Sequence, residues 1–207
     1  MEDILKDNWI KTINDFNQGK KQFSSEKSLV FWYAWNLKSS NPELIEEIDF
    51  ERSLFVNFSD GTFLDLYLVL KSKNKNLRVG IEFKLPHNNG GNTNQTQTRQ
   101  KCINDLKRLN WLVTKNRIDL GIFLMATDEG PYTNKGKYRK AIEFETYDGK
   151  EYQKNDLFPI NELSSDSVEV ISDQQFIWNN FEKIKNRIEI PKDQFAWIEP
   201  IIIKNTQ

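Results

Sequence analysis

One cysteine and one histidine are all that the 207 residues offer of either type. Cys102 alone makes neither an intramolecular disulfide nor a thiolate zinc site, and His87 alone excludes a histidine-rich metal centre. Long apolar runs are missing too, which argues against a membrane-spanning helix and a membrane partner. The N-terminus, MEDILKDNW, is acidic where a signal peptide is basic, so a cytoplasmic location is expected. Nor is there a surplus of one charge: the formal net charge of −1 gives no overall electrostatic footprint for nucleic acid and leaves the local distribution to decide. Internal repeats and a clear linker are also absent. Hydrophobic residues at 38%, charged residues at 29% and aromatics at 13% then describe an ordinary folded chain, long enough for one well-buried domain spanning 1–207.

The most informative stretch is FLDLYLVLKSKNKNLRVGIEFKL, residues 63–85. Leu64, Leu66, Leu68 and Leu70 alternate with Phe63, Asp65, Tyr67 and Val69; Val79, Ile81, Phe83 and Leu85 alternate with Arg78, Gly80, Glu82 and Lys84. Period two is the strand signature, so two strands joined by a polar turn are expected, with Glu82 and Lys84 on one face. A loop centred on Lys73-Asn74 sets Asp65 opposite Glu82, and one on Asn74-Lys75 sets it opposite Lys84. A slip of one residue sends Asp65 to the other face. Charges on a sheet face otherwise made by apolar neighbours need partners. A polar sheet edge with a salt bridge from Lys84 to a carboxylate is one outcome. The other is chemistry: two carboxylates supply hard oxygen ligands for Mg2+, which activates a bound water and offsets charge on a phosphate, while a nearby lysine orients that water or stabilises the pentavalent state.

With sixteen residues between Asp65 and Glu82-Phe83-Lys84, and a polar helix and an apolar strand to follow, this stretch resembles the PD-(D/E)xK phosphodiesterase superfamily of type II restriction endonucleases, Holliday-junction resolvases and repair or mobile-element nucleases. Leu64 stands where that motif often has proline. The resemblance covers roughly residues 24–127, with 128–207 as a C-terminal elaboration. It implies an α/β fold, a restriction endonuclease-like mixed β-sheet made of an antiparallel meander plus a βαβ unit and flanked by helices. It implies Asp65 and Glu82 as ligands of Mg2+, with Mn2+ able to substitute, and Lys84 as the residue that positions water. Glu26, in the first turn of the helix before the sheet, would be a third carboxylate, although an acid there is stabilised by the helix dipole in any case. Gln97, Gln100 and Lys101 would face the site from the helix after the E-x-K strand, unless they form a solvated face. The resemblance further implies DNA, duplex or branched, as substrate, a 5′-phosphate product and a homodimer. A junction resolvase or repair nuclease, an RNA target, and a non-catalytic nucleic-acid-binding or assembly subunit stay open.

Elsewhere the periodicity predicts a helix over 3–17 (Leu5, Trp9, Ile13, Phe16) and a second one capped at Ser24 or Ser25, with Leu29, Val30, Tyr33, Ala34 and Leu37 inward, ending at Ser39-Ser40-Asn41-Pro42. Residues 43–52 read as a short helix or turn, with strands at 52–58, 62–70 and 77–85. Asp60 reads as a turn former. The loop PHNNGGNTNQTQT is a flexible connector or a DNA-facing lid, and its His87 a loop residue or a proton shuttle. A helix over 95–115 turns Cys102, Ile103, Leu106, Leu109 and Val113 inward and leaves Asn104, Lys107 and Arg108 on the polar face; 119–127 reads as a central strand. Lys135, Lys137, Arg139 and Lys140, interleaved with Tyr132 and Tyr138, suit phosphate contact and base stacking or a solvated loop. A strand at 168–172, a helix at 174–185 and an apolar tail at 195–203, packed on the domain or on a second subunit, complete the reading.

Overall fold

The computed structural model describes residues 1–21, 24–54, 63–73, 75–87, 94–135, 144–160, 167–180 and 195–205. In chain order they form α1 (Glu2–Asn17), α2 (Glu26–Ser40), β1 (Ile45–Arg52), β2 (Leu64–Leu70), β3 (Leu77–Lys84), α3 (Gln95–Thr114), β4 (Leu120–Thr127), a 3-10 turn at Gly130–Tyr132, and the short strands β5 (Glu151–Tyr152), β6 (Gln174–Gln175), β7 (Trp178–Asn179), β8 (Ala196–Ile198) and β9 (Ile201–Ile203). The main sheet runs β1-β2-β3-β4-β8-β7, with β9 also on β4. β1, β2 and β3 are an antiparallel meander, β3 and β4 are parallel with α3 between them in sequence, and β8 and β9 run antiparallel to β4. The protein is thus α/β, a mixed sheet flanked by three helices. Among the described residues no helix is long and apolar enough to cross a membrane.

Alternation along the strands divides the core into two layers. Leu66, Leu68, Leu70, Val79, Ile81, Phe83, Ile122 and Leu124 pack with α1 and α2, while Tyr67, Phe123 and Met125 pack with α3 and the C-terminal segment. Ser25 and Ser28 form a reciprocal capping box that starts α2, as expected of serines at that position. Trp9 donates from Nε1 to the Ile198 carbonyl at 2.9 Å, fastening α1 to β8. Every position of β4 is buried, as its apolar run predicts, and the tail 195–203 covers its second edge rather than a subunit surface. Gly121 lets α3 approach that strand: an added Cβ would meet Leu109 Cβ at 3.2 Å and Ile203 Cβ at 3.3 Å.

Several expectations need correction. Residues 45–52 are a strand, not a helix or turn. β1 lies at the end of the sheet order and buries only Ile45, so its acidic side chains are solvated and give no apolar period to read. The meander therefore begins at 45–52 instead of 52–58, and 55–58 and Asp60 lie outside the described residues. Residues 174–179 are extended, not helical: Ser172, Gln174, Phe176 and Trp178 are buried while Asp173, Gln175 and Ile177 are exposed, a period of two that the clustered aromatics disguise. Around 168–172 the described residues form an isolated bridge, Leu157 to Glu169, flanked by the backbone hydrogen bonds Phe158 N to Val168 O and Val170 N to Asp156 O, in place of a full strand. Asn104, Lys107 and Arg108 are buried rather than solvated: Arg108 turns under the helix to Glu82, and residues of 144–160 and 167–178 pack on α3, where Asn110 Oδ1 accepts from Gln174 Nε2 at 2.9 Å and from Ile171 N at 3.0 Å.

At the end of β3 and β4 remote from Lys84, Asp119 accepts from Arg78 Nε and backbone N, both at 2.9 Å, and from Lys75 Nζ at 3.0 Å. These bonds, the Arg78 guanidinium first, hold its carboxyl well below the usual range against a smaller opposing effect of burial. Asp119→Asn is expected to cost about 1–2 kcal/mol, discounted for partial exposure. Because its folded value is depressed, Asp119 contributes stability that is full above about pH 4 and fades as pH falls toward that value. Urea midpoints should therefore differ most between the two proteins near neutrality and converge in acid.

Candidate active site

The β2–β3 register pairs Leu66 with Ile81 and Tyr67 with Gly80. Carried one step further, it sets Asp65 opposite Glu82, the arrangement expected of a turn centred on Lys73-Asn74, although the strands stop at Leu70 and Leu77 and leave a longer connection. The paired ladder ends at Leu66, and there the Asp65 carboxylate substitutes for a ladder carbonyl: Oδ2 accepts from Phe83 N at 2.8 Å. Asp65 is half-buried. Glu82, one residue before that amide, is 0% exposed. Its Oε1 lies 3.0 Å from the Arg108 guanidinium of α3, and among the described residues its Oε2 has no hydrogen-bond partner.

Lys84 has a side chain only 12% exposed, with Nζ 2.7 Å from Asp105 Oδ2, 2.8 Å from the Phe83 carbonyl and 3.5 Å from Glu26 Oε1. Glu26 reaches over from the first turn of α2, and its Oε2 accepts from Leu85 N at 3.0 Å. Asp105, 2% exposed, also pairs with Arg108 one turn along α3. The parts therefore come from three places: the Asp65–Phe83 bond fixes β2 against β3, Glu26 clips the end of β3 to α2, and Asp105 with Arg108 closes the cluster from α3.

Four carboxylates, Glu26, Asp65, Glu82 and Asp105, thus surround two cations, Lys84 and Arg108. Burial raises the Glu82 carboxyl well above its ordinary value; Arg108 opposes this, and Asp105 and Asp65 add to it. Burial likewise raises Glu26, against the pull of Lys84. For Lys84 burial alone would act downward, but Asp105, Glu26, Asp65 and Glu82 outweigh it and hold the ammonium well above the usual lysine range. Arg108 is raised in the same way by Asp105 and Glu82.

Among the described residues no group of three or more histidine, cysteine, aspartate and glutamate side chains is arranged to hold a metal. Magnesium asks for less, since one or two carboxylates suffice while it keeps several waters. Asp65 and Glu82 fit that smaller demand in donor type, and among the described residues the buried Glu82 Oε2 is an acceptor without a donor.

The remaining sequence candidates lie apart. Gln97 and Lys101 are exposed and Gln100 half-buried in the first two turns of α3, and among the described residues none is bonded to the cluster. The helix meets the site one turn later, through Asp105 and Arg108. These two were missed because lysines and amides drew attention to the polar face. Yet Asp105 stands three residues after Cys102 and four before Leu109, on the inward stripe, and Arg108 stands three beyond it. Lys135 is exposed, with Nζ 4.9 Å from the centre of the Tyr147 ring. Lys137, Arg139, Lys140 and Tyr138 lie outside the described residues, as does 88–93 of the proposed lid. Tyr132 is fully buried in the layer beside α3 and so is no stacking surface. His87 is neither a free loop residue nor part of the cluster: Nδ1 lies 2.5 Å from Asp128 Oδ2 just past β4, and its ring packs on Phe195. Cys102 is core, and burial pushes its thiol up. Comparison with known proteins returns no matching family model, no matching curated protein and no matching solved structure.

Proposed function

We propose that this protein is a magnesium-dependent DNA endonuclease with a restriction endonuclease-like fold, acting most simply as a type II restriction enzyme. The observation that carries this reading is the convergence of Asp65, Glu82 and Lys84, joined by Glu26, at the carboxyl end of β3. The meander followed by a parallel strand–helix–strand unit supports it.

Asp65 and Glu82 would hold the ion, with Mn2+ able to substitute. Once bound, the ion supplies a more acidic water and neutralises charge on the phosphate. Lys84 holds a fixed ammonium beside the reacting phosphate. Its pairing with Asp105 and its bond to the Phe83 carbonyl keep it charged and aimed, so it can orient the attacking water and offset negative charge as the P–O bond breaks. Glu26 positions both Lys84 and the Leu85 backbone from α2. Attack with loss of the 3′ oxygen leaves a 5′-phosphate, and a homodimer would cut both strands of a duplex.

Incubating the protein with supercoiled plasmid, a four-way junction and single-stranded RNA, with magnesium and with EDTA, tests the reading. Discrete magnesium-dependent plasmid fragments are expected of a restriction enzyme, and preference for the junction identifies a resolvase or repair nuclease. Absence of cleavage of every substrate overturns the nuclease assignment. One observation favours a second reading, a non-catalytic nucleic-acid-binding or assembly subunit: Glu82 is sealed from solvent and already occupied by Arg108. Retention of DNA binding without cleavage would select it.

A further inference from the structure

We infer that Arg108 is a resident counter-cation that a divalent metal must displace from Glu82, so that metal loading and guanidinium release are one exchange. This rests on the nuclease reading and adds a residue that its sequence motif does not contain.

The charges require some such cation. Glu82 is fully buried, and the Arg108 guanidinium, 3.0 Å away, is the cation that touches it. Lys84 is committed elsewhere, to Asp105 at 2.7 Å and the Phe83 carbonyl at 2.8 Å. The second oxygen, Oε2, is buried without a partner among the described residues, so the carboxylate retains capacity that the guanidinium does not use. An isolated buried carboxylate is costly, and Arg108 offsets part of that cost in the metal-free protein.

A dication coordinated by Glu82 and Asp65 would sit within a few ångströms of the same guanidinium, and like charges at that range repel strongly in a water-poor site. Arg108 can yield because it has a second acid on its own helix. Asp105 lies one turn back and is already paired with it. The guanidinium can therefore give up Glu82 while keeping a carboxylate partner. Its planar fork then matches a phosphate oxygen as the replacement acceptor, so an anionic substrate and the metal would favour the same released state.

Calorimetric titration of Mn2+ into the wild type, Arg108→Met and Asp65→Asn proteins tests the exchange without reading activity. Arg108→Met is expected to bind Mn2+ at least about tenfold more tightly than wild type, since the competing charge is gone, and Asp65→Asn to bind it more weakly. Should Arg108→Met not fold, the Arg108→Met/Asp105→Asn double variant removes one charge of each sign and carries the same comparison. In the wild type, the Arg108 Nε–H resonance should shift as Mg2+ is added, together with the Phe83 amide. Unchanged or weaker Mn2+ affinity in Arg108→Met, with Asp65→Asn still impaired, overturns the exchange and leaves the nuclease reading intact. So does a Phe83 amide that responds to Mg2+ while Arg108 does not. Failure of wild type and both Arg108 variants to bind Mn2+ overturns the two together.

Discussion

Asp65→Asn is expected to remove magnesium-dependent cleavage, by about 10²–10³-fold or more, while leaving the melting temperature unchanged or raised. The two halves have separate causes. An asparagine Oδ1 can still accept from Phe83 N, now at 2.8 Å from the carboxylate, so the tie between β2 and β3 survives. What is lost is one of four carboxylates gathered around two cations, which relieves repulsion at a site where burial already disfavours the charged form of Glu82. Lys84→Ala should reduce cleavage to a similar degree by a different route and with a different stability outcome. Asp105 and Glu26 lose an ammonium that they hold above its usual range, and breaking a buried pair costs about 3–5 kcal/mol. Gel assays of plasmid cleavage with thermal denaturation of the same preparations separate the cases. Full activity in Asp65→Asn would remove that carboxylate from the mechanism, and a large fall in its melting temperature would mean its charge is structural.

The readable part of this site was the part set by local alternation. Residues 63–85 carry their own period, so the face shared by Asp65, Glu82 and Lys84 followed from sequence, while the choice between the two possible hairpin registers came only from the β2–β3 pairing. Ser25 and the inward stripe of α2 followed from capping and period in the same way, whereas the reach of Glu26 to the end of β3 was only what the family resemblance implied. The hidden part depends on contacts far apart in the chain. Arg108 read as part of a polar helix face and Asp105 gave no signal until Glu82 and Lys84 stand beside them in the folded chain. β1 hid for the opposite reason: at the end of the sheet it buries almost nothing, so hydrophobicity could not mark it.

Phe83→Ala is expected to be the most damaging single truncation near the site, destabilising the protein by about 3–5 kcal/mol and lowering its melting temperature on the order of 10 °C. Phe83 is fully buried on the face opposite Glu82, edge-on to Tyr33 at 5.3 Å and to Trp9 at 6.4 Å between ring centres. It therefore joins α1 and α2 to the strand that carries the E-x-K residues. Its backbone matters as much, since its N–H is held by Asp65 and its carbonyl by Lys84. A cavity on one face would let the strand shift and displace the charged groups on the other, so activity should fall along with stability. Phe83→Leu, which keeps most of the volume, should lose much less of both. Urea unfolding followed by tryptophan fluorescence, with Trp9 in direct contact, measures the effect. A loss below about 1 kcal/mol would show that α1 and α2 do not depend on this ring. The contrast with Asp65→Asn is the sharper test of the site: loss of activity at constant stability belongs to the carboxylates on one face of β3, and loss of stability with activity following belongs to the aromatic ring on the other.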